Sequence, residues 1–570
     1  MIRMLNLLAI TAGLTPLLTA HVSAAEPMSM IPADAAVVVR LKAPEATTEK
    51  MAQYADGVQP GAGRNIRGNA AAIGLAISNP TLTGVDQGRA WLLTVLVEKG
   101  QQPQVVFLIP ATDTEAMTSA LPDTMTSVVH DDWVVYSEDA AALDAFQPEG
   151  ESRFTATMGD ASTTSFDKGD VSLFVNISRL TDVYADKIEQ LREQATSALN
   201  QIQFNLANAD TGMQMGPIFE MYGKLLEGSL QALDDARGLV VAISVDETAL
   251  VIEEYFDFES GSSTGEWLGQ HEGSNFPALG KLPVDAISYY CFSGDLSGLY
   301  QWSFGMTTIM LPEDDDDTRE KLESLLDRFS EFEFGAIVGS MDLASGEDGA
   351  ARTVNIVEVS SVERFRQTIQ ELIRLTSNLK TPGFRQTNTV APAAETIDGH
   401  KVDVITVEQE FDEDVDPTGM QKKLMEILFG SEGIVSRQVF MDDRYVQTTG
   451  GGQPLMEEAL SRIDGDESAS YDTYRTGIVE EPNLLVLLDL PGLAVKGMKI
   501  AATVPSLNLP VTPEMVQGMA SPPSYLTFAI KAEESALRCQ TRLPVQQPQG
   551  IMRLVGLFVL LGQQIQQNGF

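Results

Sequence analysis

The chain has 570 residues, with 80 acidic against 38 basic side chains and a formal charge of −42. Such a surface repels phosphates, which argues against nucleic acid and anionic lipid as partners. A prior of about 150 residues per domain makes the chain too long for one core, and its 44% hydrophobic residues can fill several.

Arg3, the apolar stretch Leu5 to Ala20 and the small residues Val22-Ser23-Ala24-Ala25 read as a signal peptide over residues 1–25, cleaved near Ala25. A membrane span needs about 20 apolar residues, and this stretch is short and interrupted by Pro16. Leu554 to Leu561 is shorter still and reads as part of a docked C-terminal helix. The expectation is an exported protein, periplasmic or extracellular, without a transmembrane anchor.

The mature chain reads as two versions of one text. Ile31-Pro32-Ala33-Asp34-Ala35 precedes the apolar run Val37-Val38-Val39, and Leu282-Pro283-Val284-Asp285-Ala286 precedes Tyr289-Tyr290-Cys291-Phe292. Ala242-Ile243-Ser244-Val245-Asp246-Glu247-Thr248-Ala249-Leu250 is echoed by Ala529-Ile530-Lys531-Ala532-Glu533-Glu534-Ser535-Ala536-Leu537. Equal order in both versions argues for duplication of a long unit. The expected domains are a first half at 26–275 and a second at 276–570.

Four segments follow one β-α-β-β plan, each run bounded by turn formers. The first strand is expected at Ala35–Leu41, with a hairpin of Trp91–Glu98 and Val105–Pro110. A helix over Asp113–Leu121, the acidic turn His130-Asp131-Asp132-Trp133 and a short helix over Ala140–Phe146 extend it. The second strand is Val171–Ile177, its hairpin Leu239–Val245 with Ala249–Phe258. Between them, Ile188, Leu191, Ala195, Leu199 and Ile202 recur at helical spacing, as do Ile218, Tyr222, Leu225 and Leu233. An inserted helical hairpin at 185–235 follows. The third strand is Ala286–Phe292, with Ala336–Leu343 and Thr353–Val359 as its hairpin, then a helix over Val362–Leu379. An insertion near 380–435, the turn Met441-Asp442-Asp443-Arg444 and a helix over Pro454–Ile463 come next. The fourth strand is Leu484–Leu488, with Tyr525–Ala532 and Ala536–Leu543. Gln147–Gly169 and Ser260–Gly280 have the Gly, Ser, Thr and acidic content of linkers. The fold class expected is α+β: mostly antiparallel sheets with helices on one face, in two related halves.

The opening Ile31-Pro32-Ala33-Asp34-Ala35, the Asp-Asp hairpins and the run from Ser524 through Leu543-Pro544 resemble a family of exported bacterial proteins classed as a domain of unknown function. That resemblance implies an extracytoplasmic location and brings no catalytic residue, substrate or cofactor.

Motifs for chemistry are sparse. Gly261-Ser262-Ser263-Thr264-Gly265 fits G-x-S-x-G, with His271 near in sequence, but a nucleophile elbow needs a long helix after its serine. The mature chain has His130, His271 and His400 far apart, without zinc-site spacing. Asp412, Asp414 and Asp416 alternate as in a calcium loop, yet Pro417 stands where that loop needs glycine and Lys423 where it needs glutamate. Glu313-Asp314-Asp315-Asp316-Asp317 reads as a solvated run before a helix. Gly450-Gly451-Gly452 lacks the lysine of a phosphate loop. Cys291 and Cys539 read as two free thiols. No catalytic, metal or cofactor residue is assigned.

The function expected is non-enzymatic binding or scaffolding in the cell envelope, through a concave surface between the halves and an unknown envelope or extracellular partner. The alternatives are a serine-type hydrolase using Ser263, and a carrier of an apolar ligand gripped by the helices from Ile188 to Leu233, where Met213, Met215 and Met221 would supply adaptable contacts.

Overall fold

A computed structural model describes residues 27–68, 70–147, 154–207, 216–305, 316–346, 348–381, 384–412, 416–465, 468–502, 515–516, 518–519 and 521–567. The expected leader at 1–25 lies outside them, as do Met213, Met215, Asp414 and Glu313-Asp314-Asp315. The chain divides into two units: Met1–Glu193, Ser229–Gln270 and Ala532–Val555 form the first, and Gln194–Gly228, His271–Lys531 and Gly556–Phe570 the second. The class is α+β, with long antiparallel sheets and helices packed on them.

The first unit contains β1 (Val37–Leu41), β2 (Trp91–Leu96), β3 (Gln104–Pro110), β4 (Thr126–His130), β5 (Trp133–Ser137), β6 (Val171–Asn176), β7 (Ala236–Val245) and β8 (Ala249–Phe258). The second contains β9 (Ser288–Ser293), β10 (Phe334–Leu343), β11 (Ala351–Val359), β12 (Asn378–Thr381), β13 (Phe384–Ile397), β14 (His400–Phe411), β15 (Ile434–Phe440), β16 (Arg444–Thr449), β17 (Leu484–Leu488) and β18 (Leu526–Glu533). The last strand, β19 (Ala536–Pro544), belongs to the first unit and pairs there with β8.

All pairings are antiparallel. The first sheet runs β4-β5-β3-β2-β1-β6-β7-β8-β19. The second runs β12-β13-β14-β15-β16-β11-β10-β9-β17-β18. Each sheet therefore sets its opening strand between the first strand of a hairpin and the strand of a later β-α-β-β segment. The same connection order repeats from β1 to β7 and from β9 to β18, with β12, β13 and β14 added at one edge of the second sheet.

Strand positions match the expected runs closely, and β17 coincides with Leu484–Leu488. The helix expected over Val362–Leu379 stops earlier, at Leu375. The Thr376 hydroxyl donates back to the Leu372 carbonyl at 3.0 Å, and Asn378–Thr381 leaves the helix to become β12. Short polar side chains that bond the local backbone favour such exits. The two expected linkers are parts of the fold instead. Asp160–Lys168 is a helix, and Phe154 and Phe166 are fully buried beside Phe174, with Phe154 at 5.1 Å from Phe174 edge to face. Ser263–Leu268 is a short helix, and Leu268, Phe276 and Leu279 are buried. Abundant polar residues hid a few aromatic and aliphatic anchors from a compositional reading.

One face of the first sheet is packed dry. Val38, Leu92, Val106, Phe174, Val240 and Tyr255 join Phe146, Phe154, Met158 and Phe166 in one cluster. In the second unit, Tyr289, Val338, Val354, Leu485 and Ala529 pack with Leu455, Leu460 and Tyr471. The opposite face of β10, β11 and β16 lies under Phe329, Phe332, Phe365 and Leu372.

The helix Val362–Leu375 is also pinned by charge. Arg366 Nε and Nη2 donate to the two carboxylate oxygens of Asp403 at 2.8 and 2.7 Å, and Gln370 and the Ala393 N–H donate to the same group. Burial pushes the Asp403 carboxyl up, but the hydrogen bonds from Arg366, Ala393 and Gln370 together outweigh it and hold it below the usual carboxylate range. Its folded value is depressed, so its stabilisation is present above the unfolded value and is lost as pH falls through the folded one. Asp403→Ala leaves the half-buried Arg366 with only the exposed Glu363, at 3.5 Å, as a carboxylate partner and is expected to cost about 3 kcal/mol. Denaturant unfolding followed at neutral pH and again below pH 3 checks this: the gap between wild type and variant should shrink in acid, and a constant gap would contradict it.

Candidate functional site

The face of the first sheet opposite its dry core is only half covered, and at one end Leu180, Val183 and Tyr184 pack with Val37, Leu93, Val95 and Val97. On adjacent strands Val39 pairs with Leu93, Leu41 with Trp91 and Val171, Leu93 with Phe107, and Val171 with Ile243. Period-two alternation puts these side chains on one face. Val37, Val39, Leu41, Val171, Leu173, Val175, Leu239, Val241 and Ile243 are all partly exposed there, while Val38, Phe174 and Val240 on the other face are at 0% exposure.

The cover over this face is thin for a physical reason. The helix Pro44–Val58 turns small and polar residues inward, with Thr47, Thr48, Glu49 and Ala52 buried and Met51 half-buried. Glu49 is held by the Arg67 guanidinium at 2.9 Å twice over, and Asp56 binds the same guanidinium at 2.9 Å. The hydrogen bond from Arg67 keeps the Glu49 carboxyl below its ordinary range against the cost of burial. This triad ties the helix Pro44–Val58 to the next one, Gly63–Gly68. A third helix, Ala70–Ala76, supplies Ile73 and Ala76, followed by Ile77. Gly74 in it approaches the Asn79 and Pro80 backbone so closely that a Cβ would lie 2.6 Å from the Asn79 carbonyl oxygen.

Between sheet and helices lies an open apolar recess of about 90 Å³, set in about 750 Å³ of empty space when its mouth is included. Strands β1, β2, β3, β6 and β7 form its floor through Val39, Leu41, Leu93, Phe107, Ile109, Val171 and Ile243, and Met51, Ile73, Ala76 and Ile77 close it from above. The floor is braced. Trp91 Nε1 donates to the Asp86 carbonyl at 2.8 Å. Tyr136 stacks on Phe107 at 5.1 Å and donates its hydroxyl to the Ile77 carbonyl at 2.6 Å. Burial pushes the Tyr136 hydroxyl far above its usual range, so it stays a neutral donor. Beside the residues at one end, Lys50 Nζ lies 2.6 Å from Asp170, which also accepts the Val245 N–H at 2.9 Å.

This recess was not among the sequence expectations. The apolar carrier reading placed its ligand on the helices from Ile188 to Leu233, where Leu191 and Leu225 are 63% and 57% exposed, and among the described residues none of that hairpin lines the recess. The usable signal was the double-sided apolar run of β1 and β6 beside a helix, Pro44–Val58, with few large apolar residues.

The other candidates fall in separate places. Ser263 opens a six-residue helix whose N-cap is Ser262, and its hydroxyl donates to the Asp235 carboxylate at 3.0 Å. The Thr264 N–H donates to the same carboxylate at 2.9 Å, so Ser263 sits in a helix-capping arrangement. The His271 carbonyl accepts from the Asn483 side chain at 3.4 Å. His130 ends β4 opposite Trp133, with Asp131 in the left-handed region at φ 51°. His400 opens β14, 3.4 Å from Asp464. Asp416 accepts the N–H groups of Met420 and Lys422 and so caps a helix. Gly450, Gly451 and Gly452 all have positive φ at the turn into the helix Gly452–Asp464. Among the described residues, no three His, Cys, Asp or Glu side chains are placed to share a metal ion, and no helix is long and apolar enough to cross a membrane.

No family model and no curated protein sequence matches the chain. Among solved structures, crystal forms III and IV of TP0453 align at 12% identity and TM-score 0.21, over 49% and 48% of this chain and 98% and 95% of theirs. Crystal form I aligns at 11% identity and TM-score 0.20, over 49% of this chain and 98% of its own. Likeness at that level carries no inference about function.

Cys291 on β9 is buried and Cys539 on β19 half-buried, both as free thiols. Burial pushes the Cys291 thiol up to about 12 and the Cys539 thiol up to about 11. Only a thiolate attacks a disulfide reagent readily, so native protein at pH 8 should label slowly at both. Unfolding in guanidinium should release two fast-reacting thiols; a thiol that reacts within seconds in the native protein would contradict this.

Proposed function

We propose that the chain is an exported, non-enzymatic binding protein of the cell envelope, and that it holds an apolar molecule in the recess over β1, β2 and β6. The observation that carries this reading is a lining of apolar side chains on a sheet face left half covered, over a braced floor. Concave apolar sites of this sort are where small molecules are held. Apolar surface left open to water is unfavourable by roughly 25 cal/mol per Å²; an occupant would recover part of that.

Two further parts of the reading concern origin and address. The matching strand orders of the two sheets, together with the paired Ile31-Pro32-Ala33-Asp34-Ala35 and Leu282-Pro283-Val284-Asp285-Ala286, support descent from one unit fused in tandem. The N-terminal leader pattern and the resemblance to exported proteins support removal of residues 1–25 on export. N-terminal sequencing of protein recovered outside the cytoplasm should then begin at Glu26, whereas recovery only in the cytoplasm with Met1 intact would sink that part.

The binding reading is tested with purified mature protein and the neutral fluorescent probe N-phenylnaphthylamine. Saturable binding of one probe per chain is expected. Ala76→Phe projects a ring into the recess and should weaken the probe by about tenfold, equivalent to about 1.4 kcal/mol, without loss of the cooperative unfolding transition. Non-saturable uptake, or equal binding by wild type and a folded variant, would remove the recess from the account.

A further inference from the structure

We infer that the occupant of this recess is an uncharged amphiphile with a single hydrocarbon chain, an inference that rests on the recess being a binding site as proposed above. Among the described residues that line it, none carries a charged side chain, and the accessible lining is overwhelmingly apolar. The one indole there already donates to the Asp86 carbonyl. A charged headgroup drawn inside would lose its water without gaining a partner, which is costly.

The rim is no kinder to an anion. Lys50, next to the lining residue Met51, is occupied by Asp170, and Arg67 by Glu49 and Asp56. These two cations are thus matched or outnumbered by carboxylates, in a chain whose formal charge is −42. A carboxylate or phosphate head would meet net repulsion at the mouth as well as desolvation within.

Shape narrows the class further. The recess, about 90 Å³, is smaller than the ~150 Å³ cavity known to take benzene. A ring system is therefore taken up only in part, with the remainder in the open mouth, whereas an alkyl chain is thin enough to enter end first. The rest of such a chain has somewhere to lie. Leu173 and Val241 continue the same partly exposed sheet face beyond the recess, as far as the end where Val37 packs with Leu180, Val183 and Tyr184. An uncharged head, such as an alcohol, can remain in water at the open mouth.

The test uses the intact mature chain and three probes of equal chain length, dodecanol, dodecanoate and dodecyltrimethylammonium, below their micelle concentrations at pH 8. Each competes with N-phenylnaphthylamine. The expected order is dodecanol tightest, saturable at one per chain, with dodecanoate at least about tenfold weaker and the ammonium compound between them. Ala76→Phe should abolish the dodecanol advantage, which separates a site from simple partitioning. Dodecanoate binding as tightly as dodecanol would overturn the uncharged class. Tightest binding by the ammonium compound would overturn it too and assign recognition to the acidic surface. Failure of all three to displace a saturably bound probe would overturn the single-chain class, and failure of the probe itself to bind would instead overturn the underlying binding reading.

Discussion

Antiparallel pairing of one short central strand with partners on both sides governs the first unit. β1 has five residues, and every one of them pairs with β2 on one flank and β6 on the other. That register aligns apolar residues into rows across the sheet, Val39 with Leu93 and Leu173, Leu41 with Trp91 and Val171. A strand so placed exposes no edge, but it commits both faces of the sheet to being apolar. One face finds a full cover in Phe154, Phe166 and their neighbours. The other receives one helix whose buried residues include threonine, alanine and an ion-paired glutamate, with Ile73 and Ile77 packed beside it. The recess lies where Met51, Ile73, Ala76 and Ile77 face the sheet without filling the space above it.

The polar groups around it act as fasteners. Arg67 bridges Glu49 and Asp56, Lys50 bridges to Asp170, and Asp170 in turn accepts the Val245 N–H at the end of β7. These contacts hold the covering helices without filling the space below them. In the second unit the corresponding central strand, β9, lies between β10 and β17. There the cover is richer: Phe329, Phe332 and Phe365 pack over β10, β11 and β16, and the Arg366–Asp403 pair locks the helix that carries Phe365. Two sheets of like connection order thus differ in how fully their second faces are filled.

Most of the strands were legible before any coordinates, because a half-buried strand announces itself through β-branched residues, alternation and flanking turn formers. β17 and the hairpin of β7 with β8 were read with little error for that reason. The Asp-Asp turns were readable too, since Asp131 occupies a left-handed position that an Asx residue tolerates. The putting aside of Gln147–Gly169 and Ser260–Gly280 as linkers failed for the converse reason. Phe154, Phe166, Leu268 and Phe276 are isolated anchors in polar surroundings, and no periodicity marks them.

By itself the amino-acid sequence determined most strand runs, their hairpins and the likeness between the two sets of runs, all of which follow from local propensity and short-range patterning. It did not determine the helices in the expected linkers or the strands β12, β13 and β14. Only the tertiary structure decided that β19 pairs with β8, that Ser263 is engaged by Asp235, and that a recess opens between β1 and the helix Pro44–Val58. Such outcomes depend on which faces meet and on how much volume the facing side chains fill. Residues as far apart as Val39, Ala76 and Ile243 share that volume, and no window along the chain contains it.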